Sequence, residues 1–223
     1  MSAPAAVAVE PAGLLYGRLL ASVAAGGEEE GAYRVADGRV RALPLRRWLA
    51  PVDAIDRALL AHAIAPVLDI GCGPGRHLAA LAAAGHAGLG LDLSPVAVRM
   101  ARDRGADAIL RSVFADVPRA GTWRTALLLD GNVGIGGRPE ALLARARDLV
   151  APGGRLLVEA APPGLPTRRE RVRLEAGHAR SPWFRWATVG IDGLEPIARA
   201  SGLRVADVLD LGGRWFGRLE RPR

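Results

Sequence analysis

The order of patterns along the chain predicts an α/β protein with an open sheet and a ligand site at its strand ends. Three observations carry this. Short apolar runs alternate with segments whose apolar residues fall at helical spacing. One such run, Val67-Leu68-Asp69-Ile70, passes directly into Gly71-Cys72-Gly73-Pro74-Gly75 and an Ala-rich helix from about Arg76. Another, Ala126 to Leu129, is continuously apolar, as in a central parallel strand buried on both faces. A strand, a glycine turn and a helix N-terminus make a site for a small polar ligand. Glycine lets backbone N–H groups approach closely, and the helix dipole favours a negative group there.

The spacing within the turn separates two ligand classes. A dinucleotide turn reads G-x-G-x-x-G, and its third glycine allows close helix–strand packing. Here Arg76 occupies that third position and the glycines fall at 71, 73 and 75. With Asp69 inside the strand end, VLDIGCGPG closely resembles motif I of the class I S-adenosylmethionine (SAM) methyltransferases. LVAPGGRLLVE resembles the common post-helix signature of that fold. The resemblance spans Val67 to Glu220. It implies a three-layer, Rossmann-like sandwich around a mostly parallel seven-stranded sheet, with SAM as cofactor and S-adenosylhomocysteine as product.

The elements follow in order. Residues 1 to about 30 show little pattern, and GGEEEGAYRVADGRV carries turn signals, so this part is expected to be loose. Trp48 ends a basic stretch. Pro51 then opens a helix with Val52, Ile55, Leu59 and Leu60 on one face, ended by Pro66. After motif I, Gly88 to Asp92 reads as the second strand. Ser94 caps the next helix, with Pro95 at its first position and Gly105 at its close. The third strand is Ala108 to Arg111 and the fourth Trp123 to Asp130. After an amphipathic helix from Arg138, APGG is a turn and Arg155 to Ala160 the fifth strand. Residues 161–190 are long for a plain connection, and RERVRLE and PWFRWATV alternate, which predicts an inserted β-hairpin over the site. A helix and two final strands complete the chain, the last pair antiparallel. Residues 1–65 are thus an arm and helical cap, and 66–223 the cofactor-binding domain with its 161–190 insertion.

The resemblance also implies site residues. Asp69 orients the methionine amino group. Gly71, Cys72, Gly73, Arg76 and His77 lie along the turn beside the cofactor. Asp92 holds the ribose, at a distance from Gly73 that suits a βαβ unit, with Leu93 beside it. Ser112 stands where an acid commonly meets the adenine amino group, with the Val113 N–H near the ring, and Asp116 is the substitute. Asp130 and Gly131 face the methionine end. Asn132 and His178 are the candidate catalytic residues. Trp48, Asn132, Trp183 and Trp186 are candidates for the acceptor wall. Amine-modifying nucleic-acid methyltransferases carry (N/D)PP(Y/F) after the fourth strand. Asp130-Gly131-Asn132-Val133 lacks the prolines and the aromatic.

Composition bounds the partners. Net charge is +7 with no lysine, and the arginines are scattered, so a nucleic-acid surface is not expected. One cysteine, no basic leader and no long uncharged apolar run point to a reducing, cytoplasmic setting without membrane contact. No metal-ligand spacing occurs. The expected function is methyl transfer to a small molecule such as a secondary metabolite. An RNA or protein methyltransferase, a SAM-binding protein without methyl transfer, and a nicotinamide-dependent oxidoreductase are the alternatives. Oligomeric state is left open.

Overall fold

The structure is a computed structural model that describes residues 8–223. The first seven residues, part of the stretch of little pattern at residues 1 to about 30, lie outside the described residues. In chain order the elements are β1 (Ala8–Val9), α1 (Ala12–Ala24), β2 (Ala32–Val35), β3 (Val40–Ala42), α2 (Leu45–Leu49), α3 (Ala54–Leu60) and β4 (Val67–Ile70). Then come α4 (Arg76–Ala83), β5 (Gly88–Asp92), α5 (Pro95–Asp103), β6 (Ala108–Leu110), β7 (Trp123–Leu128), α6 (Pro139–Leu149) and β8 (Val150–Ala160). The rest are β9 (Arg168–Ala176), β10 (Ala179–Arg180), β11 (Phe184–Thr188), α7 (Leu194–Ala200), β12 (Arg204–Leu211) and β13 (Arg214–Glu220).

The central sheet has seven strands in the order β12-β13-β8-β7-β4-β5-β6. Strands β4 to β8 run parallel, and β13 is antiparallel to both β8 and β12. Strand side chains alternate between two cores, as a period of two requires. Leu68, Ile70, Ala126, Leu128, Leu156 and Val158 pack with Leu142, Ala146 and Ile197 from α6 and α7. Val67, Leu127, Leu157 and Phe216 pack with Leu59, Leu78, Leu81 and Val98 from α3, α4 and α5. These two cores make the three layers.

Strand limits differ from the sequence reading at two places. Strand β7 stops at Leu128 because Asp130 takes φ 53, which turns the chain out of the ladder. APGG is not a free turn. It lies inside β8, where Gly153 and Gly154 exchange backbone hydrogen bonds with Arg221.

The described N-terminal part, from Ala8, is not loose. Leu15, Leu19 and Leu20 of α1 are fully buried. The helix approaches α5 through Gly13 and Gly17: a Cβ on Gly17 would stand 2.6 Å from Ser94 Oγ, and one on Gly13 2.9 Å from the Leu93 carbonyl oxygen. The pattern was hidden because small residues, not bulky ones, make this contact. A second sheet was also not anticipated. The 161–190 hairpin, β9 with β11, is joined by the N-terminal strands in the order β1-β10-β9-β2-β3. Helix α1 is held beneath it by Leu174, Ala176 and Ala179.

Candidate active site

A cavity of about 890 Å³ opens between the carboxyl ends of the central strands and the second sheet. Its floor is the turn after β4. Gly71, Gly73 and Gly75 all have positive φ, and two of them also lack room for a side chain. A Cβ on Gly71 would stand 2.6 Å from Asn132 Nδ2, and one on Gly75 2.6 Å from Ala101 Cβ.

Asp69 is the deepest acid of the cavity. It is 1% exposed, and its Oδ2 has no hydrogen-bond partner in the protein. Burial pushes its carboxyl up to about 6, against the opposing pull of His77, whose Nδ1 lies 3.9 Å away. Asp92 Oδ2 accepts the Gly73 N–H at 2.9 Å and its Oδ1 the Ser94 N–H at 2.8 Å. Burial raises this carboxyl, and the backbone N–H groups partly offset that. Cys72 is buried and its thiol is pushed up by desolvation, so it stays protonated and fills space against Gly90.

Beside this floor lies a buried ion network that the sequence did not reveal. Asp56, fully buried and half of a capping box with Asp53, contacts Arg76 Nη1 and, at 2.7 Å, Arg214 Nη1. Arg76 Nη2 donates to both Asp130 oxygens at 3.0 and 3.2 Å. Arg214 donates to both Glu159 oxygens at 2.8 Å, and Glu159 Oε2 accepts the Asp130 N–H at 2.7 Å. Desolvation would raise the Asp56 carboxyl, but the His77, Arg214 and Arg76 side chains around it hold it below the usual range. The network fixes Asp130 in its positive-φ conformation at the cavity wall. Asp56 and Glu159 carry no local motif. Asp56 lies on α3 and Glu159 on β8, and Arg214 at the start of β13 joins them.

Asp69, Gly71, Cys72, Gly73, Arg76 and His77 all line the cavity, as do Asp92, Leu93, Ser112 and Val113. Asp130, Gly131, Asn132, Trp48 and Trp186 line it too. Three candidates do not. His178 is exposed at the turn between β9 and β10, where its carbonyl accepts the Ala8 N–H at 3.0 Å. Trp183 stacks on Arg173, 4.8 Å from guanidinium carbon to ring centre, on the outer face of the second sheet. Arg173 alternates with the inward Val172 and Leu174, and that parity carries Trp183 outward. Asp116 is exposed away from the cavity, so Ser112 remains at the strand-three position. Asn132 donates its Nδ2 to the carbonyls of Ile70 and Gly71 at 3.0 and 2.8 Å. It clamps the glycine turn, and an amide is no base.

Tyr16, Tyr33, Arg41 and Phe114 line the cavity without having been singled out, and Phe184, the aromatic between Trp183 and Trp186 in the insertion's acceptor wall, lines it as expected. Tyr16 stacks edge-on against Trp48, ring centres 5.8 Å apart, and burial raises its phenol. The Trp48 Nε1 is buried without a partner. Among the described residues no group of three or more His, Cys, Asp or Glu is placed to hold a metal ion. None of their helices is long and apolar enough to cross a membrane.

Comparison with known proteins agrees with this geometry. A family model described as a methyltransferase domain matches residues 67–154. No curated protein matches the chain by sequence. Among solved structures, a SAM-dependent methyltransferase from Bacteroides fragilis, in complex with S-adenosyl-L-homocysteine, superposes with a TM-score of 0.81 at 22% identity. That match covers 97% of this chain and 99% of the other. The 1,6-didemethyltoxoflavin-N1-methyltransferase of Burkholderia thailandensis is similar at a TM-score of 0.60 and 19% identity, over 100% of this chain and 94% of that one. An amino pentose methyltransferase from Micromonospora echinaspora gives 0.53 and 22%, over 74% and 86%. Residues 67–154 thus match a methyltransferase-domain model, and the chain as a whole has the fold of the class I SAM-dependent methyltransferases.

Proposed function

We propose that this chain is an enzyme that transfers the methyl group of SAM to a small-molecule acceptor. The observation that carries the reading is Asp69: a fully buried carboxylate with one oxygen unpartnered, facing a cavity beside a glycine turn. A buried carboxylate without a donor is costly. A ligand ammonium supplies the missing donor, and the methionine end of SAM carries one. Asp92 keeps acceptor capacity beyond its two backbone bonds, which suits a ribose hydroxyl. When bound, SAM supplies an electrophilic methyl on a sulfonium, displaced in line with a neutral leaving sulfur. The chain's own task is then to position two reactants and exclude water. Tyr16 and Trp48 cover the turn, and the second sheet closes over the acceptor side.

A small acceptor is supported by the position of the cavity beneath that sheet, with aromatic side chains along its wall. It is also supported by the neighbours, which include an amino pentose methyltransferase and one solved with 1,6-didemethyltoxoflavin. The cytoplasmic setting belongs to the same proposal, since SAM is an intracellular metabolite. Titration calorimetry of the purified chain with S-adenosylhomocysteine tests it: a single site lost in Asp69→Asn is expected. Absence of heat with both SAM and S-adenosylhomocysteine overturns the reading, and saturable NADH binding then points to the oxidoreductase instead.

A further inference from the structure

The acceptor side of the cavity is one face of the second sheet, and its composition is directional. Register places Arg41 of β3 opposite Tyr33 of β2, and Tyr33 opposite Leu174 of β9. On β9 and β11, Val172 stands opposite Phe184, and Phe184 meets Trp186 edge to face at 6.2 Å. All six residues line the cavity. The face therefore runs from an aromatic and aliphatic floor to a guanidinium at the sheet edge, since β3 is an edge strand.

Arg41, exposed at the sheet edge, shares with Arg171 and Arg185 the lack of an ion pair among the described residues and differs in this from Arg34, Arg39 and Arg173. Arg34 pairs with Glu175, Arg39 with Asp37 and Glu170, and Arg173 with Glu175. Arg41 has no carboxylate within ion-pair distance among the described residues; its one side-chain bond is donated to Tyr33 Oη at 3.3 Å. A phenol oxygen orients a guanidinium without neutralising it, so four of its five N–H groups are left for a ligand. The acids of the cavity, Asp69, Asp92, Asp130 and Glu159, all lie on the opposite, central-sheet side.

We infer that the acceptor is an amphipathic anion: a flat apolar or aromatic body seated on Tyr33, Phe184 and Trp186, with a carboxylate held by Arg41. The carboxylate accepts paired N–H bonds from the guanidinium fork, and the body replaces water on the aromatic face. This deepens the methyltransferase reading and rests on it. The bond to Arg41 selects among acceptors, and Arg41 stands on the second sheet rather than on the glycine turn and central strands assigned to the cofactor.

Matched probes test it. Hydroxybenzoates, hydroxycinnamates and hydroxynaphthoates are titrated against their primary amides, using protein saturated with S-adenosylhomocysteine. A charge-assisted pair is expected to favour the best acid over its amide by ~10-fold or more in the wild type. Arg41→Gln should bring that ratio to about one, and Arg41→Lys should keep part of it, because lysine keeps the charge and loses the fork. S-adenosylhomocysteine affinity should be unchanged in both. No acid preference in any pair, a preference that survives Arg41→Gln, or one lost instead in Arg185→Gln overturns the assignment. So does weakened S-adenosylhomocysteine binding in Arg41→Gln, which would place Arg41 at the cofactor. Failure of the wild type to bind S-adenosylhomocysteine at all is the separate result that removes the methyltransferase reading.

Discussion

Replacing Asp69 by Asn should make the free protein more stable and the liganded protein weaker. One pKa unit is worth about 1.4 kcal/mol, so a carboxyl held at about 6 instead of the ordinary 3.8 costs the folded state about 3 kcal/mol once ionised. Native Asp69 keeps its proton up to about pH 6, and the unfolded chain loses it near 3.8. The native state therefore binds more protons between these values, and this group's contribution to stability falls as pH rises through that window. Asn is neutral throughout. Urea unfolding at pH 7.5 should show Asp69→Asn more stable than wild type by up to about 3 kcal/mol, and the gap should close below about pH 4. Binding reverses the sign. A ligand ammonium needs the carboxylate ionised, so wild-type affinity for S-adenosylhomocysteine should rise about tenfold from pH 5 to pH 7. Asp69→Asn should bind more weakly and without that slope. His77, Arg76, Asp92 and Asp130 remain in the variant, so the difference isolates the carboxylate. Equal stability gains at both pH values, or a variant that retains wild-type affinity, would refute the reasoning.

Other outcomes follow from the same structure. Asp56→Ala leaves Arg76 and Arg214 buried beside a lost anion and should cost about 3–5 kcal/mol, read as a lower denaturant midpoint. Gly71→Ala forces a Cβ at φ 76 to within 2.6 Å of Asn132, so calorimetry should show S-adenosylhomocysteine binding weakened more than stability alone explains. Leu15→Ala removes a fully buried side chain from α1 and should cost about 2–5 kcal/mol. Because α1 covers the glycine turn through Tyr16, protection of the α1 amides from hydrogen exchange should fall in that variant, and ligand should restore it. His178→Ala, exposed outside the cavity, should leave S-adenosylhomocysteine affinity and melting temperature within error of wild type.

The central sheet was legible because its signals are local. A strand ending in Asp69, three glycines at fixed spacing and a helix start are written within a few residues, and the apolar run at Ala126–Leu129 needs no partner to be read. Those same signals placed the floor of the cavity. What lay beyond them depended on pairing at long range. The second sheet joins residues near 34 to residues near 173, and no short pattern announces that register. Asp56, Glu159 and Arg214 carry no pattern of their own, and only packing turned them into a buried network.

The parity of strand β9 decided which tryptophan entered the cavity: one residue of phase separates Trp183 outside from Phe184 within. By itself the sequence determined the turn VLDIGCGPGRH and hence the kind of ligand it can hold, because backbone conformation there is dictated by glycine. Tertiary structure alone decided what faces that turn, because the aromatic wall, Arg41 and the unpartnered oxygen of Asp69 acquire meaning only from what surrounds them.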